Sequence, residues 1–447
     1  MSEALTEVNL KNINRLAIPA TISGIAEPLL SITDTAIVGN IPVNGLESLA
    51  AAGIVGSFLS MLIWVLGQTR SSISAIISQY LGANKLKEVE NLPAQAIFFN
   101  ILLSLVLLLS TIFIMPWIFS LFEAKGKVLE LCVSYYSIRV WGFPLTLFTF
   151  AVFGIFRGLQ NTYYPMIIAL IGAVLNILLD FALVYGIDGI IEPMYLRGAA
   201  WASLISQAVM AILVGFLLAK KTNIRLRLVF PLNKELTRLI TMSLNLFVRA
   251  LALNAALIIA VREATSLGDK FIGAHTIAIN LWLFAAFFID GYGAAGNSLG
   301  GKLLGAKDYP NLWKLAKKIV RYGLVVSLVL MLFGFIFYYP LGRLFSNEEM
   351  VLSTFYGVFF LVILGLPMNT LAFVLDGLFK GLGEMKYLRN VLLTATFLGF
   401  IPTLYFGKYM GWGFHAIWIA FIVWMLIRGL ALVVRFRQKF KPLVQNP

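Results

Sequence analysis

Leu170–Gly186, LIGAVLNILLDFALVYG, reads as a membrane-grade apolar helix, yet it carries Asn176 and Asp180. Four residues apart, the two lie on one helix face, one turn above the other. A carboxylate at that depth costs roughly 2.5–3.5 kcal/mol on insertion scales. A helix keeps such a group only where something pairs with it or uses it. The rest of the chain can be read for the partner.

The surroundings of that stretch are of the same kind throughout. Of 447 residues, 60% are hydrophobic and 13% charged, about half the charge of a soluble protein. Apolar runs of roughly 20 residues recur from end to end, each long enough to cross a hydrocarbon core of about 30 Å. Alternating strand-like segments do not occur, which argues against an outer-membrane barrel. The fold class expected is therefore all-α integral membrane. The single cysteine, Cys132, excludes an internal disulfide, and His275 and His415 are too far apart in sequence to form a metal motif. His275 is expected to be a packing residue.

The net charge of +14 would suit nucleic acid, but its distribution does not. Lys220, Lys221, Arg225, Arg227, Lys234, Lys302, Lys307, Arg435 and Arg437 fall in segments on one side. The opposite segments hold few basic residues, among them Lys125, Lys127, Arg197 and Lys408. This is the positive-inside pattern. It predicts a plasma-membrane protein with both termini cytoplasmic, attraction to anionic lipid, and no nucleic-acid partner. The polar first dozen residues do not read as a cleavable signal peptide.

Taken in order, the apolar segments predict twelve transmembrane helices. The first, about 15–38, contains Pro19 and Pro28, each of which removes a backbone hydrogen bond and invites a bend. Glu27, Ser31 and Asp34 give it a polar stripe. The fourth carries Arg139 and Pro144. The fifth is the opening stretch. The sixth has Ser203 and Gln207 on one face. In the second half, Arg249, Asp290 and Asp376 fall in helices 7, 8 and 10 and are expected to form a structural charge cluster, because an unpaired arginine in a membrane is costly. The organisation expected is a six-helix bundle over 1–219, a basic cytoplasmic linker over 220–234, a second bundle over 235–434 and a basic tail over 435–447.

An internal repeat supports that division. Gln79-Tyr-Leu-Gly-Ala-Asn84 matches Lys302-Leu-Leu-Gly-Ala-Lys307, and Phe156-Arg-Gly-Leu159 matches Phe379-Lys-Gly-Leu382. Gly142 and Pro144 match Gly365 and Pro367. All are separated by the same offset, from 79 to 302 and from 156 to 379. Six helices per copy is an even number, so the copies are parallel repeats about an axis along the membrane normal, enclosing a central cleft. The acids do not repeat: the positions equivalent to Asp34 and Asp180 are Leu257 and Thr403.

Several of these segments together resemble the multidrug and toxic compound extrusion (MATE) family, in its DinF-like branch. They are the first helix from Pro19 to Asp34-Thr-Ala-Ile-Val-Gly39, Asn176-Ile-Leu-Leu-Asp180, Gly198-Ala-Ala-Trp-Ala-Ser203, Ala274-His-Thr-Ile277, Asp290-Gly-Tyr-Gly-Ala294 and Asp376-Gly-Leu-Phe-Lys-Gly381. The resemblance implies a MATE-type fold and secondary active export of organic cations or other amphiphiles in exchange for H⁺ or Na⁺. It also implies an ion-coupling site at Asp34, Asn176, Asp180 and Ser203. Ser203 stands where the family usually has threonine, which keeps a hydroxyl oxygen. Glu27 stands where relatives often have a neutral polar residue, and with Ser31 it is a candidate contact for substrate in the cleft.

A mechanism follows from depth. Asp34 and Asp180 both lie roughly 24–28 Å from the inner ends of their helices at 1.5 Å per residue, so they can share a site. Two carboxylates in low dielectric cannot both stay ionised cheaply. The site would take one proton, or one cation ligated by oxygen, and occupancy would favour another bend of the first helix at the Pro19 hinge. No metal motif, phosphate loop or nucleophile–base spacing points to an enzyme, and no cofactor is expected beyond the coupling ion. The expected partners are small amphiphilic or cationic substrates and membrane lipid, with a functional monomer. The alternative is a flippase for lipid-linked precursors, which would want a basic cleft where this chain offers acids.

Overall fold

The computed structural model describes residues 7–224 and 226–445, except for the side chains of residues 27, 28, 31 and 32. Glu27 and Ser31, the substrate-contact candidates, and Arg225 of the linker thus lie outside what is described. The described residues form helices joined by short turns, with one isolated bridge between Ile187 and Ile191.

Among the described residues twelve helical stretches can be followed, of which ten are long and apolar enough to cross a membrane and an eleventh, the bent fourth, is so when counted as one. α1 is Leu10–Gly39. The second span is broken into α2 (Gly45–Leu66) and α3 (Thr69–Gly82). α4 is Leu92–Ile112, and a short α5 (Met115–Ser120) follows it. The fourth span is α6 (Gly126–Arg139) and α7 (Gly142–Gly158), then come α8 (Tyr163–Val184) and α9 (Tyr195–Lys221). In the second half are α10 (Lys234–Leu267), α11 (Asp269–Gly305), α12 (Tyr309–Ile336), a short α13 (Tyr338–Arg343), α14 (Glu349–Gly381), α15 (Met385–Thr394) with α16 (Ile401–Tyr409), and α17 (His415–Gln445). Spans two and eleven count as one each. The fourth is bent by 46° between Arg139 and Gly142. The cause is Pro144: it has no N–H to return to the carbonyl of Val140, so the helix restarts there.

The chain divides into two compact units. One comprises Ile22–Ile77 and Leu86–Ile240; the other comprises Met1–Thr21, Ser78–Lys85 and Thr241–Pro447. The boundary thus falls inside α1, two residues after Pro19. Within the first unit, α8 and α9 form an antiparallel hairpin, and α6 packs on α2 and α9. Its core stacks Phe58, Phe119 and Tyr136 edge to face, and the buried Tyr136 hydroxyl donates to Thr111 Oγ1 at 2.6 Å. The basic linker is fastened to this unit: Gln95 Nε2 donates to the Val229 carbonyl at 3.0 Å, and Asn233 N donates to Gln95 Oε1 at 2.9 Å.

Within the second unit, α11 and α14 approach so closely that a Cβ on Gly377 would fall 2.2 Å from the Gly293 carbonyl oxygen. Small residues permit such approach between membrane helices. α17 contributes a fully buried aromatic row, Trp418, Phe421 and Trp424. Between α15 and α16 the helix widens into a π segment, Ala395–Phe400, whose Thr396 Oγ1 accepts a bond from Trp424 Nε1 at 3.1 Å.

The repeat is visible in the backbone itself. The turn after α3 bonds Ala83 N to Gln79 O, Asn84 N to Leu81 O and Lys85 N to Tyr80 O; the turn after α11 bonds Ala306 N to Lys302 O, Lys307 N to Leu304 O and Asp308 N to Leu303 O. Asn84 and Lys307 share the same left-handed φ of 56°. These are matching helix-ending motifs of the six-to-one type. The two copies also meet: a Cβ on Gly82 would fall 1.8 Å from Lys302 O, and one on Gly305 would fall 1.8 Å from Gln79 O. Each glycine sits on the carbonyl that begins the other copy, as a local twofold requires.

Candidate ion-coupling site

The site grows from the α8 face that carries Asn176 and Asp180. Both side chains are buried, at 2% and 0% exposure. Asn176 Nδ2 donates to Asp180 Oδ2 at 2.9 Å, the i, i+4 contact that the spacing predicts. The carboxyl of Asp34, from α1, lies within hydrogen-bonding reach of the Asp180 carboxyl. One turn further along, the Tyr185 hydroxyl donates to the Ile37 carbonyl at 2.7 Å, which ties the end of α1 to the end of α8.

Ser203 arrives through the α8–α9 hairpin. A Cβ on Gly198 would meet Leu183 O at 2.4 Å, and one on Gly172 would meet Met210 Sδ at 2.2 Å. This antiparallel register sets Ser203 level with Leu178 and Leu179, next to Asp180 along the chain. Its hydroxyl is buried and has no hydrogen-bond partner among the described residues; the same holds for Asp34 Oδ1 and Asp180 Oδ1. Buried oxygens without partners cost free energy until a proton or cation satisfies them. The donor set is oxygen only, which suits a proton or a hard cation such as Na⁺ rather than a soft metal. Among the described residues no group of three or more His, Cys, Asp or Glu could hold a metal ion.

Two neighbours complete the site and were not assigned to it from sequence. Arg139, the last residue of α6, acts electrostatically on both Asp34 and Asp180. Its guanidinium lies 5.7 Å from the centroid of the Tyr135 ring, and Tyr135 is buried beside the two acids. Arg139 ends at the break made by Pro144, so its position depends on a bend that apolar periodicity does not reveal. The remaining candidates lie elsewhere. Pro19 is fifteen residues before Asp34 on α1, roughly 22 Å along a helix. Gln207 turns to Gly142, where a Cβ would meet its Oε1 at 1.9 Å.

The expected charge cluster of the second half has a different membership. Arg249 and Asp376 form a buried ion pair, and Lys380 joins it at 2.9 Å from Asp376 Oδ2. Asp290 is exposed, and among the described residues no ion pair joins it to either. The third buried member is Arg428 of α17. His275 packs between Trp418 and Phe421 with both ring nitrogens buried and unpartnered among the described residues.

Among the described residues, ten helices, or eleven with the bent fourth counted as one, are long and apolar enough to cross a membrane, and unpartnered acidic oxygens are buried among them. The chain is a member of the MatE family, whose model matches residues 19–182 and 246–405, and it falls in the DinF-like branch. The two matched segments end at 182 and 405, the offset of the internal repeat. Escherichia coli K12 DNA damage-inducible protein F is 27% identical over 443 residues, covering 96% of this chain and 93% of that protein. Arabidopsis thaliana Protein DETOXIFICATION 43 is 29% identical over 318 residues, 70% of this chain, which spans only 58% of that longer protein. A probable multidrug resistance protein NorM from Photorhabdus laumondii is 24% identical over 451 residues, 96% of each. Crystal structures described as MATE in the bent and in the straight conformation each superpose with a TM-score of 0.88, at 21% and 20% identity, covering 97% and 98% of this chain and 96% and 97% of theirs. Members of the family are transporters, not enzymes.

Proposed function

We propose that the chain is a secondary active antiporter of the plasma membrane, with both termini cytoplasmic, that exports organic cations or other amphiphiles as H⁺ or Na⁺ enters. The observation that carries this reading is the contact between Asp34 and Asp180 carboxyls, with Asn176 bonded to one of them. An inward-moving proton or Na⁺ is taken up by Asp34, Asp180 and Asn176, with Ser203 as a further oxygen ligand. Loading relieves the repulsion between the acids and changes the preferred path of α1. The hinge is Pro19, next to the point where α1 passes from one compact unit to the other. A bound ion shifts such an equilibrium only by its differential affinity for the two states, so the acids must be held differently in each. The kinship with a probable multidrug resistance protein supports the export of small drugs.

Reconstitution in liposomes, with ΔpH and ΔNa⁺ imposed separately and a fluorescent organic cation as cargo, tests the reading. Concentrative transport driven by either gradient supports it and names the ion. Equilibration alone, with neither gradient producing accumulation, overturns it.

A further inference from the structure

The buried cluster of the second unit is unbalanced. Among the described residues Asp376 is its one carboxylate, bonded to Arg249 on one oxygen and to Lys380 on the other. Arg428 is the third cation. It is 2% exposed, close enough to act electrostatically on both Asp376 and Arg249, yet it forms no ion pair among the described residues. Three positive groups therefore face one negative group inside the helix bundle.

The guanidinium of Arg428 is held flat and kept from folding away. Its carbon lies 4.9 Å from the Trp424 ring centroid and 5.5 Å from that of Phe373. Nη1 donates to Met425 Sδ at 3.0 Å, a weak acceptor. Nη2 is buried and has no partner among the described residues, and the same is true of Arg249 Nε. An uncompensated buried charge is strongly disfavoured, and a fixed guanidinium with an unpartnered nitrogen is shaped to receive an oxyanion. A cation site here is disfavoured by the same count.

We propose that Arg428 and Arg249 form a receptor site for one carboxylate-sized anionic group. The group comes either from a zwitterionic or acidic substrate or from a free inorganic anion. The inference does not depend on ion coupling at Asp34 and Asp180, and it extends the range of cargo beyond cations.

Two measurements on the full-length protein test it. In proteoliposomes, a fluorescent amphiphile bearing one carboxylate is compared with its methyl ester. In detergent, tryptophan fluorescence is titrated with iodide at constant ionic strength. If substrate supplies the group, the acid is exported with a KM about tenfold below that of the ester, and Arg428→Gln removes that preference while leaving ester export intact. If a free anion supplies it, iodide quenching shows a saturable component that is lost in Arg428→Gln and in Trp424→Phe. Absence of both signals in the wild-type protein overturns the proposal whether or not the variants fold. Persistence of either in a folded Arg428→Gln variant overturns it as well. Arg428→Lys, which keeps the charge and loses the fork, should retain weaker binding. If neither cargo is exported at all, the export reading fails, and the iodide titration still decides the anion site.

Discussion

Tyr185 donates its hydroxyl to the carbonyl of Ile37 at 2.7 Å. This places a neutral clasp between α1 and α8 just beyond the point where the same helices bring Asp34 against Asp180. The acids repel when both are ionised, whereas the phenol-to-carbonyl bond is indifferent to charge. On the proposed cycle, the clasp would keep the two helix ends together as the site loads and unloads its ion. Removing it in Tyr185→Phe should cost about 0.5–1.5 kcal/mol. Efflux should fall severalfold without being abolished. A variant with wild-type efflux and unchanged thermal midpoint would show that the clasp has no part in the cycle.

Neutralising either acid should separate binding of cargo from its export. Asp34→Asn and Asp180→Asn should each be expressed and inserted normally yet reduce drug efflux to the level of cells lacking the transporter. Resistance assays with membrane immunoblots check this. Resistance like that of the wild type in either variant removes that residue from the coupling step.

The direction of pH dependence follows from the route of the proton. If H⁺ is the coupling ion, acidifying the outside loads the acidic pair and drives export, while alkaline outside medium leaves the pair empty and slows it. In Asp180→Asn this dependence should flatten, since one of the two sharing carboxyls is gone. Initial rates in proteoliposomes across a series of external pH values at fixed internal pH provide the test. Rates independent of external pH in the wild type would leave Na⁺ as the coupling ion.

Pro19→Ala should act in opposite directions on stability and on transport. Proline in a helix interior is about 3 kcal/mol less favourable than alanine, so replacing it should raise the thermal midpoint. The straighter, stiffer α1 should then export more slowly, with ion affinity at Asp34 and Asp180 little changed. Thermal melts beside initial export rates decide it, and faster export in the variant would count against a hinge at this position.

Gly82→Val should disturb the seam between the two copies of the repeated turn. Its Cβ would lie 1.8 Å from the Lys302 carbonyl oxygen, a backbone atom that cannot rotate away. Overpacking of this kind costs about 1–3 kcal/mol. A lower melting temperature is expected, and an unchanged one would mean that α3 and α11 separate freely.

Much of this was readable from the chain, for reasons of physics. Asn176 and Asp180 stand out because water-loving groups are expensive in a long apolar helix, and their spacing already fixes the bond between them. The repeat is legible because glycine and left-handed positions at a helix end tolerate few substitutes. Arg139 and Tyr135 are not legible as site residues, because the break at Pro144 decides where they point. Asp290 and Arg428 are the instructive pair. Both are charges in membrane helices, but only tertiary packing tells which one turns inward. The π segment at Ala395–Phe400 leaves no mark in hydropathy, since a wider turn changes the hydrogen bonding and not which residues are apolar.

The mutual seating of Gly82 on Lys302 and of Gly305 on Gln79 has an evolutionary corollary. Once the ancestral gene doubled, neither copy of that turn was free to drift alone, because any bulk gained by one is felt by its twin. Compensating changes should therefore appear as pairs one repeat apart. The acids at 34 and 180 lie outside that seam, and their counterparts one repeat away are Leu257 and Thr403: the shape is held in common where the polar chemistry is not.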